Sequence, residues 1–266
     1  CTAAEVGCNT FLLEKGNELG GLASLISKIP AKNRLADFPH YLMHRAEQLD
    51  NLYIFKNTEG TPENIRKFHP NIIVSSTGSA PLLPPIAGLK DRIDNENHNI
   101  YSILGMISHI NDFPKDLEGK KVVVVGGGAV GLDVVEFFAD RNADISIVEM
   151  MDQIGRDLDP VSKNDTKTMM KKHNVHQLTK TALLEVKDSS FLVRGDGEPY
   201  ELPFEYGFVC LGMRAQGQLY QNLTEEFSSE DVEIMNIGDS QRARRIIDGT
   251  QEGRNILTVL EQKGYL

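Results

Sequence analysis

Four consecutive valines, Val122–Val125, run straight into the turn Gly126-Gly127-Gly128, and no other stretch restricts the fold as tightly. A β-branched run without polar alternation is what a parallel strand buried on both faces requires. Gly126, Gly128 and Gly131 are spaced G-x-G-x-x-G, and a helical pattern beginning at Ala129 and Val130 follows. In a strand–turn–helix unit of this kind the first glycine permits the tight turn and the second lets a phosphate approach the backbone. The third lets helix and strand pack closely. The start of the helix offers unpaired amides and partial positive charge to an anion. Glu149 ends the next expected strand, Asp144–Glu149, near the ~20-residue spacing at which an acid can accept hydrogen bonds from ribose hydroxyls. A bare cluster of turn glycines would account for the loop but not for the acid. The stretch therefore predicts an α/β nucleotide-binding unit of the Rossmann type.

Glu149 would repel a 2'-phosphate, and Met150, Met151 and Asp152 offer it no cation. The expected dinucleotide is NAD rather than NADP. With 38 acidic against 28 basic residues the net charge is -10, which disfavours a nucleic acid as partner. No apolar run reaches the ~20 residues of a membrane span, and no membrane partner is expected. Cys1, Cys8 and Cys210 form neither a CxxC pair nor a metal-spaced set, so no metal site is expected and a reducing, cytoplasmic setting fits.

Upstream, Cys1–Gly7 reads as the end of a helix closed by glycine, and Asn9–Glu14 as a short strand ending in an acid. Asn33–Leu49 has helical spacing, Asn51–Phe55 is strand-like, Pro62–Phe68 is a short helix and Asn71–Ser76 a buried strand leading into Thr77-Gly78. Pro81–Pro85 and the polar run Lys90–Asn99 mark a crossing between lobes. Beyond Glu149, Pro160–Lys172 predicts a helix. Val175–Gln177, Ala182–Val186, Ser190–Val193 and Glu201–Phe204 predict short antiparallel pieces. Tyr206–Leu211 is a buried strand stopped by Gly212. Val232–Ile237 is another, followed by Gly238-Asp239 and a helix from about Arg242 to Lys263.

Glu14 repeats the logic of Glu149, but counting back ~20 residues for its own glycine loop lands before Cys1. The expectation is a fragment that begins inside the first helix of a second Rossmann unit. Asp239 ends a strand ahead of Arg242, Arg244 and Arg245, where it could hold a polyol chain or simply cap a turn.

The order of FLLEKGNELGGLASL, NIIVSSTGSAPLLPPIAGL, VVVVGGGAVGLDVVEFFADRNADISIVEM and NIGDSQRARRIIDGTQEG resembles the C-terminal FAD- and NAD(P)-binding region of the 2,4-dienoyl-CoA reductase and 2-enoate reductase family. These are NADH:flavin oxidoreductases whose other part is an old-yellow-enzyme-like barrel. The resemblance implies an NAD domain inserted in a FAD domain of the disulfide-reductase type. On this basis the FAD domain takes residues 1-98 and returns at 213-266, and the NAD domain takes 99-212.

It implies further that Glu14 faces the FAD ribose, with Gly20 and Gly21 at the turn beside it and Lys32 or Arg34 reaching the phosphates. Thr77 and Gly78 form a loop near the flavin, and Asp239 holds the ribitol or pyrophosphate. Gly126, Gly128, Gly131 and Glu149 bind NAD, with Gly212 closing that pocket. Asp133 stands where such reductases often carry a glutamate. The family's FAD glycine loop has no counterpart here, so FAD binding is expected to be weak or absent. FMN, a 4Fe–4S centre and the substrate site would belong to a separate barrel domain, the expected partner, and homo-oligomerisation is left open. His109 and His173 sit in helix-like stretches with no catalytic setting, and no catalytic residue is assigned. Two rival readings are a freestanding electron-transfer subunit using NAD(P)H and FAD, and a noncatalytic dinucleotide-sensing domain.

Overall fold

The computed structural model describes residues 1–266. It divides into two compact units, one made of Cys1–Ser27, Lys32–Ala80 and Met213–Leu266, the other of Lys28–Ala31 and Pro81–Gly212.

The second unit is built on a five-stranded sheet with the valine strand, Lys121–Val125, at its centre. Asp144–Val148 and then His176–Leu178 lie on one side of it, and Tyr206–Val209 and then Ile100–Tyr101 on the other, every pair parallel. Alternation along the valine strand sends side chains to two different cores. Val123 and Val125 join Val148, Phe191, Val193 and Phe204, so one face is covered by the antiparallel strands Ala182–Val186, Ser190–Arg194 and Tyr200–Pro203. The other face receives the helix Ala129–Ala139, which buries Leu132, Val134, Val135, Phe137 and Phe138. Phe138 packs its ring 4.8 Å from that of Phe208 and 5.1 Å from that of Phe113. The strand buried on both faces that the valines demand is therefore present.

The first unit contains two separate parallel pairs. Thr10–Leu13 pairs with Leu52–Phe55, and Ile72–Ser75 with Glu233–Asn236. Its apolar cluster is small, with Ile73, Leu223 and Phe227 buried under Ile65, Leu219, Val232 and Ile234. Phe11 and Tyr53 stack at 5.2 Å while both stay exposed. The opening helix, Thr2–Glu5, closes at Gly7 as expected, the amides of Gly7 and Cys8 returning to the carbonyls of Ala4 and Ala3.

Three expectations need correction. Asn33–Leu49 is not one helix: Pro30–Ala36 winds as a 3-10 helix and the α-helix is Asp37–Ala46, since Pro30 and the Arg34–Asp37 pair favour a tighter first turn. The piece at Val175–Gln177 is the strand His176–Leu178, a parallel edge strand on Asp144–Val148 rather than an antiparallel one, because the preceding helix Pro160–Lys172 returns the chain as a crossover. The tail helix is broken into Ile246–Arg254 and Ile256–Gln262, and Arg242–Arg245 precede it. In the second compact unit, Leu89 and Ile93 pack into the same core as Ile100 and Val123. No helix is long and apolar enough to cross a membrane.

Candidate functional site

The glycine loop in the second unit is shaped by contacts that only glycine allows. Gly126 adopts φ 109°, and a Cβ there would overlap the carbonyl oxygen of Cys210, just past the neighbouring strand Tyr206–Val209. A Cβ on Gly131 would overlap the carbonyl oxygen of Gly126, so the helix sits directly against the loop backbone. Gly128 is the N-cap of the helix and supplies no side-chain hydrogen bond to its first amides, those of Ala129 and Val130 among them. These donors and the helix dipole form an anion-binding end.

Glu149 is placed beside this turn. Its Oε2 accepts from the Gly127 N–H at 2.7 Å and its Oε1 from the Met151 N–H at 2.7 Å. Each oxygen keeps a lone pair for another donor, so the carboxylate joins the strand end to the glycine loop and can still receive ribose hydroxyls. Gly212 (φ 100°) follows the neighbouring strand, and its carbonyl accepts from the Leu82 N–H at 2.9 Å. Burial pushes the Cys210 thiol up to about 12, with Asp133 and Asp94 adding to the shift. Cys210 is thus a packed neutral group and not a nucleophile.

In the first unit Glu14 makes the corresponding local contact only. Its Oε1 accepts from the Gly16 N–H at 2.7 Å, two residues on, just as Glu149 does from Met151. Gly20 (φ 102°) and Gly21 (φ 50°) open the helix Gly21–Ile26. Arg34 pairs with Asp37 at 2.6 Å on the surface. Thr77 Oγ1 donates to the Gln216 carbonyl at 2.6 Å, and the Gly78 carbonyl accepts from the Gln216 N–H at 3.0 Å. Asp239 accepts from Ser79 Oγ at 3.0 Å and from the Arg244 N–H at 2.9 Å. Thr77, Gly78 and Asp239 are therefore gathered at the carboxyl ends of the paired strands Ile72–Ser75 and Glu233–Asn236. Glu252 completes the turn, accepting from the Gly238 N–H at 2.6 Å and pairing with Arg244 at 2.6 Å. The Gly238 amide first, and Arg244 after it, hold the Glu252 carboxyl below the usual carboxylate range.

Sequence reasoning did not reach Ser79, Glu252 or the stretch Gln153–Leu158, whose Gly155 N–H donates to the Gly127 carbonyl at 2.7 Å. The glycine at 155 was the one local signal. His109 and His173 stand at the C-caps of Ile103–Ser108 and Pro160–Lys172, where they close helices.

Residues 42–235 match the family described as pyridine nucleotide-disulphide oxidoreductase. The chain belongs to that family. Among curated relatives it is 26% identical over 253 residues to an NADH oxidase of Thermoanaerobacter brockii, covering 95% of this chain and 37% of the relative. It is 26% identical over 262 residues to a bilirubin reductase of Mediterraneibacter gnavus, covering 97% of this chain and 38% of that protein. Among solved structures it shares the fold of a 2-naphthoyl-CoA reductase, with a TM-score of 0.80 and 22% identity over 96% of this chain and 36% of the other. A histamine dehydrogenase from Rhizobium sp. 4-9 gives a TM-score of 0.79 at 15% identity over 96% and 39%. The chain thus spans well under half the length of these relatives, and its likeness to the FAD- and NAD(P)-binding region of enoate and dienoyl-CoA reductases stands.

Proposed function

We propose that this chain is the NADH- and FAD-handling part of a flavin oxidoreductase, with NAD preferred over NADP. The observation that supports the reading is the contact of Glu149 Oε2 with the Gly127 amide at 2.7 Å, since an acid beside a glycine turn is what a dinucleotide's ribose and pyrophosphate call for. The residues of the second unit fit NADH. Gly126 and Gly131 keep the backbone close, the helix beginning at Ala129 supplies amides for the pyrophosphate, and Glu149 receives the adenosine ribose while repelling a 2'-phosphate. In the first unit Thr77, Gly78 and Asp239 fit the polyol side of a flavin nucleotide, and Glu14 keeps an oxygen for a ribose. The NADH site is the better defined of the two, since Glu149 contacts the Gly127 amide across 22 residues while Glu14 contacts only the nearby Gly16 amide and Arg34 is engaged by Asp37.

When bound, FAD would supply the capacity to accept hydride from NADH and pass electrons onward. The protein's part is placement, because transfer requires close and oriented reactants. The acceptor belongs to a further domain in this reading, which the greater length of the relatives supports. An enoate, dienoyl-CoA or aromatic acyl-CoA is the substrate class, with FMN and a 4Fe–4S centre in that other domain. Three free thiols suit a reducing cytoplasm.

The test is an NADH titration of the chain and of Gly131→Ala, with far-UV circular dichroism to confirm that the variant folds. The dissociation constant should rise at least about tenfold in the folded variant. Equal affinity in both, or tighter binding of NADPH than NADH by the parent chain, would overturn the assignment.

A further inference from the structure

Both backbone polar groups of Gly127 are held by Glu149 and the segment that follows it. Its N–H donates to Glu149 Oε2, and its carbonyl accepts from the Gly155 N–H, each at 2.7 Å. Ile154 is buried against the same peptide, with its Cγ1 3.1 Å from where a Gly127 Cβ would stand. Met151–Leu158 therefore forms a strap across the glycine turn. That strap brings a second carboxylate to the site. The Asp157 oxygens lie 3.7 and 3.9 Å from the Cβ position of Gly128, the N-cap of the 11-residue helix Ala129–Ala139. A carboxylate thus stands near the start of the helix, the end that would attract a pyrophosphate.

We propose that Asp157 is a charge gate on the dinucleotide site: its carboxylate faces the helix terminus and swings aside when a pyrophosphate enters. The inference rests on the reading of the glycine loop as an NADH site. Asp157 is exposed, and the strap's hydrogen bonds run through Glu149 and Gly155, so the side chain can leave without loosening the turn. Entry of the pyrophosphate must displace the Asp157 carboxylate from the helix terminus, and that cost weakens the complex. The gate acts on the phosphates and not on the adenosine, whose ribose is served by Glu149. It also predicts that the effect fades with salt, because the group is in contact with solvent.

The experiment is a titration of the 266-residue chain and of Asp157→Asn and Asp157→Ala with NADH, ADP-ribose and adenosine, at low and at high salt. Both variants should bind NADH and ADP-ribose about three- to tenfold more tightly than the parent at low salt, with the gain shrinking at high salt. Adenosine affinity should not change. If the parent binds ADP-ribose and neither variant gains, or if Asp157→Ala alone gains, the charge gate is wrong while the site reading survives. If ADP-ribose binds to none of the three proteins, the site reading falls and takes the gate with it.

Discussion

Glu149 and Glu14 are the same device in two settings. Each ends a parallel strand and accepts from the amide two residues downstream, Met151 in one case and Gly16 in the other, at 2.7 Å. Only Glu149 also reaches a glycine turn from another part of the chain, at Gly127, and only its strand lies within a five-stranded parallel sheet. The strand before Glu14 belongs to a two-stranded pair and leaves Phe11 40% exposed, whereas Phe138 of the second unit is 0% exposed. The difference teaches that an acid at a strand end acquires its role from what packs beside it. Identical local chemistry gives a cross-linked glycine turn in one unit and a self-contained bend in the other.

The comparison should show most strongly in stability. Phe138→Ala removes a ring enclosed by Phe113, Phe137 and Phe208 and should cost about 3–5 kcal/mol in denaturant unfolding. Phe11→Ala, in an exposed stack, should cost less than about 1 kcal/mol. Equal losses would mean that the first unit is as tightly packed as the second. A smaller contrast concerns ligands. Glu149→Gln should weaken NADH binding about tenfold or more, through loss of a charged acceptor, and Glu14→Gln should leave it unchanged. A matching loss in Glu14→Gln would erase the functional distinction between the two acids.

The mildest effect is on pH. The Glu252 carboxyl is depressed in the folded chain, chiefly by the Gly238 amide. Its contribution is therefore present above the ordinary carboxylate range and lost as pH falls through the lowered value. Acid titration followed by unfolding should show a small loss of stability in the parent chain that is missing in Glu252→Gln. A pH profile identical in the two proteins would detach Glu252 from the Asp239 turn.

Much of the second unit could be read residue by residue. The valine run, the glycine spacing and Glu149 are local signals, and the helix Pro160–Lys172 is also locally fixed, since Asp159 caps it through the Val161 and Ser162 amides. The tail was harder. Its helical pattern runs past Arg242–Arg245, yet the amide of Arg244 is taken by Asp239, so the chain turns before the helix begins at Ile246. The strand His176–Leu178 is equally ambiguous in isolation, since three residues carry no record of which partner they will join.

By itself, then, the sequence determined the buried central strand, the turn that only glycines can make and the acid at the end of the next strand. These follow from chain chirality, side-chain shape and short spacing. The tertiary structure alone decided that Ser79 would meet Asp239 across 160 residues, and that the Met151–Leu158 strap would carry Asp157 to the glycine turn. Such meetings depend on how whole elements pack. Local preference cannot specify them, because each partner's position is fixed by contacts that the other does not share.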